Sequence, residues 1–125
     1  MRKNLLLLAL ACSQLQMAQA KTPEQAVPLE TVLRSIQQQN AVAFKSAYCK
    51  RIVQEEKAKG SDWSKLLQEG GKNMGKLLGD YRLNQFDYSY QGSPQSGNVT
   101  CLFQGKEVFR MRVIHEKVGW KLDER

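Results

Sequence analysis

LLGDYRLNQFDYSYQG, residues 77–92, is the stretch in which the spacing of apolar side chains changes. Up to Leu78 they recur about every 3.6 residues, the period of a helix that buries one face. After Asp80 the period falls to about two, because Phe86, Tyr88 and Tyr90 alternate with Gln85, Asp87 and Ser89. Gly79, between the two patterns, suits a helix C-cap. The chain is thus helical before this point and stranded after it.

Upstream, Leu29, Val32, Leu33 and Ile36 form an apolar stripe that starts near Pro28 and is broken by Gln37-Gln38-Gln39-Asn40. Asn40 is a good N-cap for a second helix, with Ala43, Phe44, Ala47 and Tyr48 on one face. Residues 51–60 are charged and end at Gly60, so they read as a fraying or turning segment. Ser61 can cap a third helix, with Asp62 near its positive end. The stripe of that helix is Trp63, Leu66, Leu67, Gly70, Met74, Leu77 and Leu78. Gly70 and Gly71 each cost a helix about 1 kcal/mol relative to Ala, which predicts a bend or the close approach of another backbone.

Downstream, Gly92 to Gly97 reads as a loop. Val99, Cys101 and Phe103 alternate next, and Gly105-Lys106 suits a tight turn with Gly first. Phe109, Met111 and Val113 alternate with Arg110 and Arg112, and a turn at Lys117 to Gly119 leads to Trp120 and Leu122. The expected fold class is α+β: three N-terminal helices packed on the apolar face of a four-stranded antiparallel meander.

The first 20 residues read differently. Arg2 and Lys3 precede an apolar run from Leu5 to Ala11, and Ala18-Gln19-Ala20 offers small residues for cleavage. This is the pattern of a secretory signal, and the run is far shorter than the roughly 20 residues a membrane span needs. Cleavage before Lys21 gives a periplasmic or secreted protein. Ala9-Leu10-Ala11-Cys12 also resembles a bacterial lipoprotein box, and acylation of Cys12 would give an outer-membrane lipoprotein with no other anchor. Residues 21–28, punctuated by Pro23 and Pro28, read as a linker, and 29–125 as one domain.

The chain of 125 residues carries 19 basic and 12 acidic residues. Residues 1–20 hold two of the basic residues and no acid, so 21–125 keep 17 basic and 12 acidic, a net +5. This favours an acidic protein face or an anionic envelope component as partner. Nucleic acid is not expected, since the bases are scattered and no nucleic-acid motif is present. Cys49 and Cys101 are an even pair in an oxidising compartment and are expected to be bonded, which by chain entropy would contribute about 4 kcal/mol. Neither CxxC spacing nor a neighbouring His supports a metal or redox role.

Val32-Leu33-Arg34-Ser35-Ile36-Gln37-Gln38-Gln39-Asn40, then Trp63 through Gly79, then Val113-Ile114-His115-Glu116-Lys117-Val118-Gly119-Trp120-Lys121-Leu122 together resemble the nuclear transport factor 2-like (cystatin-like) superfamily. More narrowly, they resemble its small exported bacterial domains of unknown function. The resemblance covers residues 29–123. It implies a curved sheet wrapped on helices, often dimeric through the sheet, and it includes isomerases, dehydratases, ligand binders and interaction modules. That fold usually has a short strand between its second and third helices, where Arg51 to Ala58 here reads as helix or loop.

His115 is the sole histidine and falls on the Phe109-Met111-Val113 face. It could serve as a base, but Asp87, the obvious acid in the sheet, alternates onto the other face. Tyr88 and Tyr90 could line a pocket, a sheet interface or the core. Arg110 and Arg112 lie on the charged face, either paired with Glu107 and Glu116 or free to grip an acidic partner. Asn98-Val99-Thr100 matches a glycosylation acceptor, which matters only in a eukaryotic secretory route. No catalytic, cofactor or metal-ligand constellation is present. The expectation is a non-catalytic exported binding module of the cell envelope, with Tyr88, Tyr90, Arg110, Arg112 and His115 as candidate contacts. The alternative is a small-molecule binder or an isomerase- or dehydratase-type enzyme that uses the interior. A cystatin-type inhibitor fits the outline, but no Gln-x-Val-x-Gly loop follows the first strand.

Overall fold

The computed structural model describes residues 22–125, so the expected export signal at 1–20, its Cys12 and the Lys21 terminus lie outside the described residues. Pro28 stands in the first turn of helix α1 (Val27–Gln38), where a missing N–H leaves no helical bond unmade. A 3₁₀ turn, Glu24–Ala26, leads into it, and Ala26 is only 1% exposed. Residues 24–28, expected as linker, therefore belong to the domain. Gln39 turns left-handed (φ 54°) and ends α1 by donating its N–H to the carbonyls of Ser35 and Ile36.

Asn40 caps α2 (Ala41–Ser46) as expected, its side chain accepting from the Ala43 N–H at 3.1 Å. The next helix, α3 (Lys50–Ala58), settles a segment that the sequence left between helix, loop and turn. Only Ile52 and Glu56 are buried in it, one apolar and one charged, so no apolar stripe marks it. The cap of α4 (Trp63–Leu78) is Asp62 rather than Ser61: its carboxylate accepts from the Ser64 N–H at 2.9 Å. The Ser61 hydroxyl is engaged with Glu56 instead. The Gly70-Gly71 pair makes room for a side chain, not a backbone, since a Cβ on Gly71 would stand 3.3 Å from Ile36 Cγ2.

Strands β1 (Phe86–Gly92), β2 (Ser96–Phe103), β3 (Lys106–Glu116) and β4 (Gly119–Leu122) form an antiparallel meander in sequence order. Phe103 faces Lys106, so the second turn centres on Gln104 and Gly105, both at positive φ, with Gly second rather than first. The chain between α2 and α3 touches the free edge of β4. Leu122 donates its N–H to Ala47 (2.8 Å) and accepts from Cys49 (2.9 Å), which makes Tyr48–Leu122 a one-residue parallel bridge.

Register places Val99, Cys101, Val113 and Leu122 on the helix-facing side, fully buried with Leu33 of α1. Each large apolar side chain buried there contributes about 1.5–3 kcal/mol. α1 and the 3₁₀ turn before it meet the sheet, while α4 rests mainly on α1 and α2. The architecture is α+β, with four helices and a four-stranded antiparallel sheet, one helix more than expected.

The expected disulfide is absent. Cys49 begins α3 beside Leu122, whereas Cys101 sits in the middle of β2 between Tyr88 and Phe109, and both are buried free thiols.

Candidate functional site

α1 presents Leu29, Val32, Leu33 and Ile36 along one side of a cleft, at the spacing of successive helical turns. α4 faces it with Trp63, Leu66, Gly70 and Met74. Phe109 and Met111 of β3 form the floor, pointing inward because they alternate with Arg110 and Arg112. The cleft has a volume of about 460 Å³ and is open to solvent along part of its length. At one end Phe44, Tyr48 and Trp63 pack mutually, with ring centroids 5.4, 5.8 and 5.5 Å apart. The cleft exists because α4 is held mainly by α1 and α2, which leaves space between α4 and β3.

Polar groups among the lining residues are those of Tyr48, Glu69, Asn73 and Arg125. The guanidinium of Arg125 is committed elsewhere: it donates to Glu56 and lies 3.6 Å from Glu55. That hydrogen bond holds the Glu56 carboxyl below the ordinary carboxylate range, against the effect of burial. Burial pushes the Tyr48 hydroxyl up to about 12, with Arg125 pulling weakly the other way, so it stays neutral in the cleft. Such a space can hold an apolar group by desolvation.

Two of the candidates from the sequence, Tyr90 and His115, are each brought against one ring, that of Trp120, but not in this cleft. The Tyr90 ring meets Trp120 edge-on at 5.4 Å, and Trp120 meets His115 at 5.2 Å. Tyr90 donates its hydroxyl to the Ser93 carbonyl. His115 is exposed at the end of β3 and lines a separate depression of about 330 Å³ with Glu24 and Lys121. Asp87 is exposed on the opposite face of the sheet, so the two share no cavity.

Tyr88 packs parallel to Phe86, with centroids 6.4 Å apart, and its buried hydroxyl has no hydrogen-bond partner among the described residues. Burial raises its pKa strongly. Arg110 pairs with Glu107 (3.4 Å) and Arg112 with Asp123 (3.4 Å) on the exposed face. Glu116, the partner considered for them, accepts instead from the Lys50 backbone N–H. The arginine face is thus partly neutralised, and exposed pairs of this kind contribute about 0–1 kcal/mol each.

Sequence reading placed Trp63, Leu66, Met74, Phe109 and Met111 in helix and strand stripes; their role as cleft lining depends on how far apart the layers stand. Asp123, Glu124 and Arg125 were not singled out. Their only signal was a charge pattern complementary to Arg51, Glu55 and Glu56. Among the described residues, no group of three His, Cys, Asp or Glu side chains could hold a metal ion, and no helix is long and apolar enough to cross a membrane.

Fold and site together define an α+β domain with an apolar cleft between its helix layer and its sheet. No protein-family model, curated protein or solved structure matches the chain.

Proposed function

We propose that this chain is a non-catalytic exported module of the cell envelope that retains an apolar ligand, or the apolar side chains of a partner, in its helix–sheet cleft. The observation that carries this reading is the cleft of about 460 Å³ with aliphatic, aromatic and methionine walls. Its size lies in the range of about 300–1,000 Å³ usual for ligand sites, and methionines such as Met74 and Met111 adapt to varied apolar shapes. The basic n-region, leucine run and Ala18-Gln19-Ala20 support export.

Membership of the nuclear transport factor 2-like superfamily is part of the same proposal. It is supported by helices preceding a meander, while the place of that fold's short strand, Arg51 to Ala58, is taken by α3 and the chain just before it makes only the one-residue Tyr48–Leu122 bridge. Binding is preferred to catalysis because His115 opens onto a different depression from the cleft.

Trp63 lines the cleft and Trp120 does not, so a Trp120→Phe variant makes indole emission a reporter of the cleft. Titration with saturated fatty acids of graded chain length should shift Trp63 emission saturably. Met74→Glu should abolish the shift without changing the far-UV dichroism. If no chain length moves the emission, and native mass spectrometry of protein purified from its host shows neither retained ligand nor partner, the reading is wrong.

A further inference from the structure

Val42 and Val118 are the most exposed large apolar side chains among the described residues, at 82% and 80%. They come from distant parts of the chain, the start of α2 and the β3–β4 turn, yet they line one shallow depression. Lys45, Lys50 and Lys121 line it as well, and Lys117 is exposed in the turn beside Val118. Val118 also borders the adjoining depression, which adds Val27, 47% exposed. Isolated exposed valines are ordinary; three on one face with four lysines are a patch.

The charges of this face are free. Among the described residues, none of Lys45, Lys50, Lys117 and Lys121 enters an ion pair, whereas five of the six arginines do. Glu116 is the one acid lining the Val42–Val118 depression, and it is held by the Lys50 N–H. Lys121 donates to the Ser46 carbonyl, a neutral acceptor.

We infer that this face, Val42 and Val118 ringed by Lys45, Lys50, Lys117 and Lys121, docks on an anionic lipid surface. A protein interface would be expected to centre on Trp, Tyr or Arg and to be poor in Lys. Here the aromatics, Tyr48 in this depression and Trp120 in the adjoining one, are half-buried, no Arg lines either, and the exposed tips are valines and lysines. Small aliphatic tips among long flexible ammonium side chains suit a headgroup layer instead, where lysine stems lie on apolar material and their charges stay in water. Valines supply little insertion, so the attraction is chiefly electrostatic and reversible. Each lysine near such a surface contributes about five-fold in partition.

The test is co-sedimentation of the protein, as processed by its own host, with phosphatidylglycerol–phosphatidylcholine vesicles and with pure phosphatidylcholine vesicles. The reading is the ratio of the two partition coefficients, from which any acyl-chain contribution cancels. The ratio should lie well above one, collapse at about 1 M salt, and fall about a hundred-fold in Lys45→Gln/Lys50→Gln/Lys117→Gln. Val42→Ser/Val118→Ser should weaken binding to anionic vesicles several-fold. Lys72→Gln/Lys76→Gln on α4, and Met74→Glu in the cleft, should leave the ratio unchanged, which separates this surface from the cleft reading. A ratio near one, or a triple variant that keeps its ratio, overturns the inference. So does lysine-dependent binding to polyglutamate without binding to vesicles, which would point to an acidic protein instead.

Discussion

The Cys49 thiol donates to the Asp123 carboxylate at 3.2 Å, joining residues 74 apart in the chain. Arg51 and Arg112 converge on the same carboxylate at 2.9 and 3.4 Å. One aspartate thus ties the start of α3, β3 and the C-terminal tail together. The Asp123 N–H donates to the Arg112 carbonyl at 2.9 Å, which prolongs the pairing of β4 by one residue.

Asp123→Ala should therefore be costly for a residue so near the chain end. It leaves Cys49 without its acceptor and Arg51 and Arg112 without their shared counter-ion, a loss of about 1–3 kcal/mol. The expected reading is a lower urea midpoint with an unchanged m-value. Burial alone would raise the Asp123 pKa, but bonds from Arg51, Cys49 and Arg112 outweigh it and hold the group below the ordinary carboxylate range. A carboxyl depressed in the folded state contributes stability that is present above its unfolded pKa of about 3.9 and is lost as pH falls through the folded value. Acid unfolding of the wild type should thus steepen below about pH 4, and Asp123→Asn should flatten that limb. An unaltered acid limb in the variant would show that the network contributes nothing there.

The cysteines give a prediction opposite to the one their number suggests. Burial pushes the Cys49 thiol above its usual pKa, and burial with nearby Asp87 pushes Cys101 up to about 12. A protonated, buried thiol reacts slowly with electrophiles. Iodoacetamide should leave both cysteines unmodified in the native protein and alkylate both in guanidinium without reductant, as read by peptide mapping. Recovery of a Cys49–Cys101 cross-linked peptide would contradict the structure.

What local period can encode was legible, and what depends on separation in space was not. The stripes of α1 and α4 and the alternation in β1 to β3 each follow from residues a few positions apart. α3 was harder to read because its second inward residue is Glu56, a carboxylate made tolerable by Arg125, which is 69 residues away. Pairing Cys49 with Cys101 rested on parity and compartment, neither of which encodes distance. His115 does take the parity of Val113, but at the strand's end that face is no longer core. The cleft was hidden for a related reason. Phe109 and Met111 read as core in any packing, and only the seating of α4 on the other helices leaves room above them.

The Tyr88 hydroxyl is buried without a partner among the described residues, so removing it should help. Tyr88→Phe keeps the contact with Phe86 and discards an unmet desolvation penalty, which for a hydroxyl is about 1–3 kcal/mol. The melting temperature should hold or rise. A marked fall would mean that the hydroxyl is bonded in solution, and a bound polar ligand or water would then have to be sought beside β1.

Two glycines should respond to alanine with opposite signs. Gly97 faces Gly92 across the first hairpin, and a Cβ there would collide with the Gln91 carbonyl oxygen and stand 2.7 Å from the Tyr90 ring. Backbone cannot yield as a flexible side chain does, so Gly97→Ala must open the hairpin and dislodge Tyr90 from Trp120. The expected loss is about 1–3 kcal/mol, the usual range for overpacking. In a domain of this size that lowers the melting temperature by at least about 4 °C. Gly75 lies in the exposed part of α4, and a Cβ there would meet nothing within 4 Å. Gly75→Ala should stabilise by up to about 1 kcal/mol through helix propensity alone. Since α4 forms one wall of the cleft, a stiffer α4 should also slow ligand exchange, visible as a longer relaxation of Trp63 emission after dilution. Stabilisation without slower exchange would mean that ligands enter by a route that does not require α4 to move.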